Sequence, residues 1–223
     1  MKSTLKNSTA SEKGYDKIHQ KNSFGEELEL YQMLAFLLRG NRSVDIGCGS
    51  GLIEKFSPQT VGVDFSQAAL TLAKKNGAKR LIKAPAENLP FKDNEFEVSL
   101  SNGVLEHCLD QKKAISEMVR VSKFQIIIAH ARLPWSLEYI RKPIVEGIFG
   151  LKDQPIEKPL TLSQIEKMLN ENKSRVLVRG VWNYIDPRWI WKKIPYGLIK
   201  IPSHYFVISI KTKNLNRKFL KES

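Results

Sequence analysis

A short β-branched run, Ser43-Val44-Asp45-Ile46, passes without a spacer into Gly47-Cys48-Gly49-Ser50-Gly51, a loop with glycine at every second position. Glycine has free dihedrals and no Cβ. The pattern therefore reads as a buried strand ending in a turn where backbone approaches a ligand closely. A dinucleotide fingerprint requires a third glycine after two intervening residues, and Leu52 occupies that position. The spacing is instead Asp-x-Gly-x-Gly-x-Gly, which favours a fold built to hold a nucleoside without a pyrophosphate.

The rest of the chain alternates in the way such a loop demands. Residues 60–64, 80–83, 96–101 and 125–129 read as further strands, near-continuously apolar in the last. Between them Ser66 and Asp110 are placed to cap helices. Ser23 with Glu26 forms one capping-box pair ahead of a helix that Gly40 ends, and Thr161 with Gln164 forms another. Residues 175–181 and 205–211 read as two late strands. Strand–helix alternation with apolar strands implies an α/β, doubly wound sheet, mostly parallel and covered on both faces. Residues 1–22 are polar and lysine-rich and read as a flexible tail. Residues 23–223 then form a single domain, with cap insertions expected at about 133–159 and 182–202, over the ligand edge.

Composition narrows the class. At 223 residues, 42% hydrophobic and 26% charged, the chain suits one globular core. Two cysteines, Cys48 and Cys108, cannot build a disulfide framework. With a polar opening segment and no apolar run of transmembrane length, the expectation is cytoplasmic. No Cys/His grouping with tetrahedral spacing is visible among the two cysteines and four histidines, so no metal is expected. The net charge of +13 is consistent with contact to nucleic acid or an anionic membrane surface. It is equally the mark of a lysine-rich, soluble exterior.

Asp64 closes the second strand at the right distance from the glycine loop to accept hydrogen bonds from ribose hydroxyls. Ser66 is placed to act as the helix cap, which leaves the Asp64 carboxylate available. His107, just after the fourth strand, is a candidate general base. His130 closes the fifth strand, and no spacing groups it with His19 or His204. Strands one and four flank the point where strand order reverses, so Asn102, Gly103 and Val104 are expected opposite Gly47 and Gly49.

Four ordered motifs carry a resemblance across roughly residues 40–130: the Asp45–Gly51 loop, Ala84-Pro85-Ala86-Glu87-Asn88-Leu89-Pro90-Phe91, the Phe96-Glu97-Val98 strand leading to Val104-Leu105-Glu106-His107, and Glu117-Met118-Val119-Arg120-Val121-Ser122-Lys123. Together they resemble the class I S-adenosylmethionine (SAM)-dependent methyltransferases of the type 11 domain. The nearest look is to the branch typified by quinone-biosynthesis methyltransferases. The resemblance implies a Rossmann-like, seven-stranded sheet with its last strand antiparallel. It also implies SAM as cofactor and S-adenosylhomocysteine (SAH) as product. The implied cofactor residues are Asp45, Gly47, Cys48, Gly49, Gly51, Asp64, Phe65, Ala86, Glu87, Asn102, Gly103 and Val104. One departure matters: Pro85 stands where the family places an aspartate that reaches the adenine amino group, and Glu87 is either a partial substitute or an ordinary surface glutamate. The Glu117–Lys123 segment is a structural landmark and lacks the family's following Pro-Gly-Gly turn.

The motifs are specific for SAM binding and poorly specific for substrate; the first expectation is a small-molecule or lipid-like acceptor, in a pocket built from residues 133–159 and 182–202. The aromatic and cationic residues of 189–201 suit a hydrophobic acceptor or a membrane interface. An RNA or protein methyltransferase and a non-catalytic SAM-binding subunit are the alternatives. Against a base-methylating enzyme, Ser101-Asn102-Gly103-Val104 lacks an Asn-Pro-Pro-aromatic turn.

Overall fold

A computed structural model describes residues 28–130, 158–185 and 201–214. Helix α1 (Leu28–Leu38) repeats its apolar side chains at helical spacing, burying Leu30, Leu34, Ala35 and Leu38. Strand β1 (Ser43–Ile46) is buried on both faces and runs into the glycine loop and the short helix α2 (Leu52–Phe56). Strand β2 (Val61–Asp64) leads to α3 (Gln67–Lys75), where the Ser66 side chain accepts from the Ala69 N–H as its N-cap. Strands β3 (Leu81–Lys83) and β4 (Phe96–Asn102) follow. A 3-10 turn, Leu105–His107, precedes α4 (Gln111–Val121), which Asp110 caps. Then come β5 (Ser122–His130), α5 (Leu162–Glu171), β6 (Ser174–Ile185) and β7 (Ile201–Lys211).

The seven strands form one sheet in the order β3-β2-β1-β4-β5-β7-β6. The first five are parallel. β7 is antiparallel to both β5 and β6, between which it lies. Helices cover both faces. On one side α1 packs Leu30, Leu34 and Leu38 against Val98, Leu100, Ile126 and Ile128. On the other, Ile115, Met118 and Val119 of α4 and Ile165 and Leu169 of α5 pack on Val44, Ile46, Val63 and Ile127. This is the doubly wound α/β architecture expected, with the last strand antiparallel.

Three boundaries differ from the expected ones, each for a physical reason. The α4 helix passes directly into β5 at Ser122, whose hydroxyl donates to the Met118 carbonyl at 2.8 Å, so no turn is needed and the strand begins three residues before 125. β6 runs to Ile185 and β7 begins at Ile201, because they pair along most of their length, interrupted by irregularities near Val176 and Asn183. Both ends of the expected 182–202 insertion are therefore strand. The Ser23–Glu26 capping box, the tail, and most of the 133–159 segment lie outside the described residues. Among those described, no helix is long and apolar enough to cross a membrane.

A buried polar network stitches the antiparallel strands to the parallel ones. Gln125 Oε1 accepts from Ser174 at 2.6 Å and from Ser209 at 2.9 Å. Its amide donates to the Ser122 carbonyl at 3.2 Å. The Ser122 and Ser99 hydroxyls meet at 2.8 Å. All five residues are buried, and satisfied polar groups in such a place fix the register of β5, β6 and β7.

Candidate active site

Strand order reverses between β1 and β4, whose ends pair Ile46 with Ser101. Open parallel sheets bind ligands at such a switch point, beyond the carboxyl ends of the strands. The glycine loop occupies that position. Gly47, Gly49 and Gly51 all have positive φ, at 78°, 54° and 75°, a region costly for side chains. Packing adds a second demand, since a Cβ on Gly47 would lie 2.2 Å from Val104 Cγ2 and one on Gly51 would lie 2.8 Å from Ala73 Cβ. Gly47 and Val104 are thus in contact, which places the β4 end against the loop as expected.

Asp64 holds the loop in place. Its Oδ2 accepts from the Gly49 N–H at 3.0 Å and its Oδ1 from the Ser66 N–H at 2.9 Å. The carboxylate is therefore not idle as expected from the Ser66 cap: it ties the loop to the start of α3 as well. Phe65 is partly buried beside it.

Beneath the loop lies a feature that no local spacing reveals. Asp45 and Glu54 are both buried, at 2% and 1% exposure. Among the described residues neither Glu54 oxygen has a hydrogen bond of good geometry, and the polar groups beside it are its own backbone N–H and the Asp45 carboxyl. Two carboxylates cannot bond without a proton between them. Burial, followed by the charge of Glu54, pushes Asp45 well above the carboxylate range. Burial pushes Glu54 up to about 7. The Cys48 thiol is raised by burial and by the same carboxylates, so it is an inert, packed thiol.

After β3, Ala86 packs partly buried on the main core. Glu87 Oε1 accepts from the N–H groups of Leu109 at 2.8 Å and Asp110 at 3.3 Å. It fastens the entry to α4. Glu117 and Arg120 secure the same loop: Leu89 N–H donates to Glu117 at 2.8 Å, and Arg120 donates to the carbonyls of Leu89 and Phe91 at 3.0 and 2.7 Å.

Past Asn102 and Gly103, whose φ is +66°, the 3-10 turn delivers Glu106 and His107. Glu106 is fully buried. Its Oε1 lies 2.5 Å from His130 Nδ1 and also accepts the His130 N–H at 3.2 Å. Burial alone would raise its pKa, but the hydrogen bond and positive charge of His130, with that of His107, hold it below the usual range. The His107 and His130 rings are 6.5 Å apart and the His130 and His204 rings 4.6 Å, since His130 and His204 are register partners on β5 and β7. Three of the four histidines therefore gather at one edge. Sequence spacing could not show this, because antiparallel pairing brings His204 in from a distant strand.

Residues 44–125 match the family described as the methyltransferase domain. The chain is 32% identical over 169 residues to uncharacterized protein MJ1252 of Methanocaldococcus jannaschii, covering 75% of this chain and 66% of that one, just under two thirds of its length. It is 30% identical over 173 residues to uncharacterized methyltransferase YcgJ of Bacillus subtilis, covering 71% of this chain and 67% of the relative. In fold it is similar to magnesium protoporphyrin IX methyltransferase of Synechocystis with bound SAH, at TM-score 0.64 and 14% identity, covering 94% and 99% of the two chains.

Proposed function

Because the chain belongs to the class I SAM-dependent methyltransferases, we propose that it transfers the methyl group of SAM to a small-molecule or lipid-like acceptor. The observation that carries this reading is the glycine cradle at the switch point, pressed on one side by Val104 and held on the other by Asp64. Gly47, Cys48, Gly49 and Gly51 would pass the methionine portion, with Asp64 and Phe65 at the ribose and Ala86 and Glu87 at the adenine. Asn102, Gly103 and Val104 would face the methyl group.

The reaction is an in-line displacement. The acceptor's lone pair forms a bond to the methyl carbon as the S–CH3 bond breaks, and the electron pair stays on sulfur to give neutral SAH. The sulfonium is already activated, so the protein's contribution is alignment and exclusion of water.

A small or lipid-like acceptor, of which a quinone precursor is one kind, is supported by the carboxylates of Asp64, Glu87 and Glu106 at the strand ends. They are unfavourable neighbours for a polyanion. The second reading, an RNA substrate, draws on the net charge of +13, and it requires RNA binding that weakens steeply with salt.

Calorimetric titration with SAM and SAH tests the cofactor assignment. Wild type is expected to bind both, and Asp64→Ala to lose about tenfold or more through ribose and loop together. No binding by wild type removes the reading. Transfer of labelled methyl to RNA, with none to a hydrophobic small-molecule fraction, would move the acceptor to the second reading.

A further inference from the structure

One carboxylate oxygen of Glu106 and one ring nitrogen each of His107 and His130 lie within 4.8 Å of one another. Building on the methyltransferase reading, we propose that these three residues hold a divalent transition-metal ion beside the methyl donor, and that this ion takes an oxygen of the acceptor.

The donor set selects the class of ion. Two imidazoles and one carboxylate suit manganese, iron, cobalt, nickel or zinc, whereas calcium and magnesium prefer all-oxygen shells. Three protein ligands leave coordination positions open for a substrate. Ligands at about 2.0 to 2.2 Å from a common ion stand roughly 3 to 3.5 Å apart. Reaching that spacing requires rotation of the imidazoles, and the His130 side chain is 44% exposed. The proton between Glu106 and His130 leaves to solvent as the ion takes its place.

A second observation points to the same occupant. Among the described residues Glu106 Oε2 is buried with no hydrogen bond of good geometry, although Oε1 is engaged by His130. Leaving a buried charged acceptor unpaired destabilises a fold by about 1 to 3 kcal/mol or more. A cation in the cluster satisfies it. His204 stacks on the far ring at 4.6 Å and steadies His130.

Placement gives the ion a role. Val104, two residues before Glu106, touches Gly47 of the glycine loop, so the cluster lies beside that loop. An acceptor hydroxyl bound to the ion loses its proton to solvent more readily. The oxygen then attacks the methyl carbon, and the S–CH3 electron pair departs with sulfur. The acceptor class is accordingly an oxygen nucleophile, such as a phenol or enol, that can ligate a metal.

The test uses the full chain stripped with chelator and titrated with Co2+, followed by its visible absorption. One equivalent is expected to bind, with affinity at least about tenfold lower in His107→Asn and in Glu106→Gln. Glu106 is buried, so His107→Asn, at a partly exposed site, carries the test if Glu106→Gln fails to fold. Absence of saturable Co2+ binding, or binding unchanged in His107→Asn, overturns the site. If wild type still binds SAM in calorimetry while failing to bind Co2+, the metal inference falls alone and the cofactor assignment stands.

Discussion

At the scale of single residues, the Asp45–Glu54 pair makes the fold sensitive to pH in an unusual direction. Glu54 has a folded pKa of about 7 against an ordinary 4.5, so between these values the folded state holds a proton that the unfolded chain has released. Stability therefore falls as pH rises from about 4.5 to about 7, by about 3 kcal/mol from Glu54, and the raised Asp45 carboxyl extends the fall to higher pH. Glu54→Gln supplies its own N–H donors to Asp45 and removes that slope. Its melting temperature is expected to exceed that of wild type at pH 8 and to approach it at pH 5. A gap between the two proteins that stays constant across this range would contradict the shared-proton description. The neighbouring Gly47→Ala should destabilise by about 2 to 4 kcal/mol in urea unfolding, since it meets both a forbidden φ and the Val104 methyl. The glycines and Asp64 were legible from spacing along the chain because strand, loop and next strand are consecutive. Glu54 was not, since a glutamate in the first turn of a helix ordinarily points to water. Nor was the bond between Glu106 and His130, which depends on β4 and β5 ending side by side.

Elements were legible where one segment alone dictates its own conformation. The β-branched runs at β1 and β2 and the caps Ser66, Asp110 and Thr161 specify their strands and helices locally. The direct passage from α4 into β5 was not, because the usual breaker residues are missing and tertiary pairing alone sets where the helix stops. The Glu117–Arg120 motif acquires a structural meaning at this scale. Arg120 bonds the Leu89 and Phe91 carbonyls and reaches Asp93 at 3.0 Å, fastening the β3–β4 connection to α4. Arg120→Ala should cost about 2 to 3 kcal/mol, read in chemical denaturation. A change below about 0.5 kcal/mol would place this cluster among ordinary exposed ion pairs.

For the molecule as a whole, a ligand that binds only the folded state raises its stability by mass action. At SAH concentrations of about 100 times Kd, the gain is about 2.7 kcal/mol, which for a domain of this length is a melting shift of roughly 5 to 10 °C. Thermal melts with and without SAH check this, and an unshifted curve at saturating ligand would count against the cleft as its binding site.

The position of β7 between β5 and β6 bears on how the chain is made. β6 leaves the ribosome before the strand that must separate it from β5. Until β7 arrives, β5 offers a bare parallel edge and β6 has no partner, so both are open to wrong pairing. The Gln125 amide oxygen, waiting for Ser174 and Ser209 together, cannot be fully satisfied before that moment. Closure of the sheet therefore waits for residues 201–211, and a nascent chain stalled before residue 201 should be protease-sensitive across its newest half while β1 to β4 are already protected.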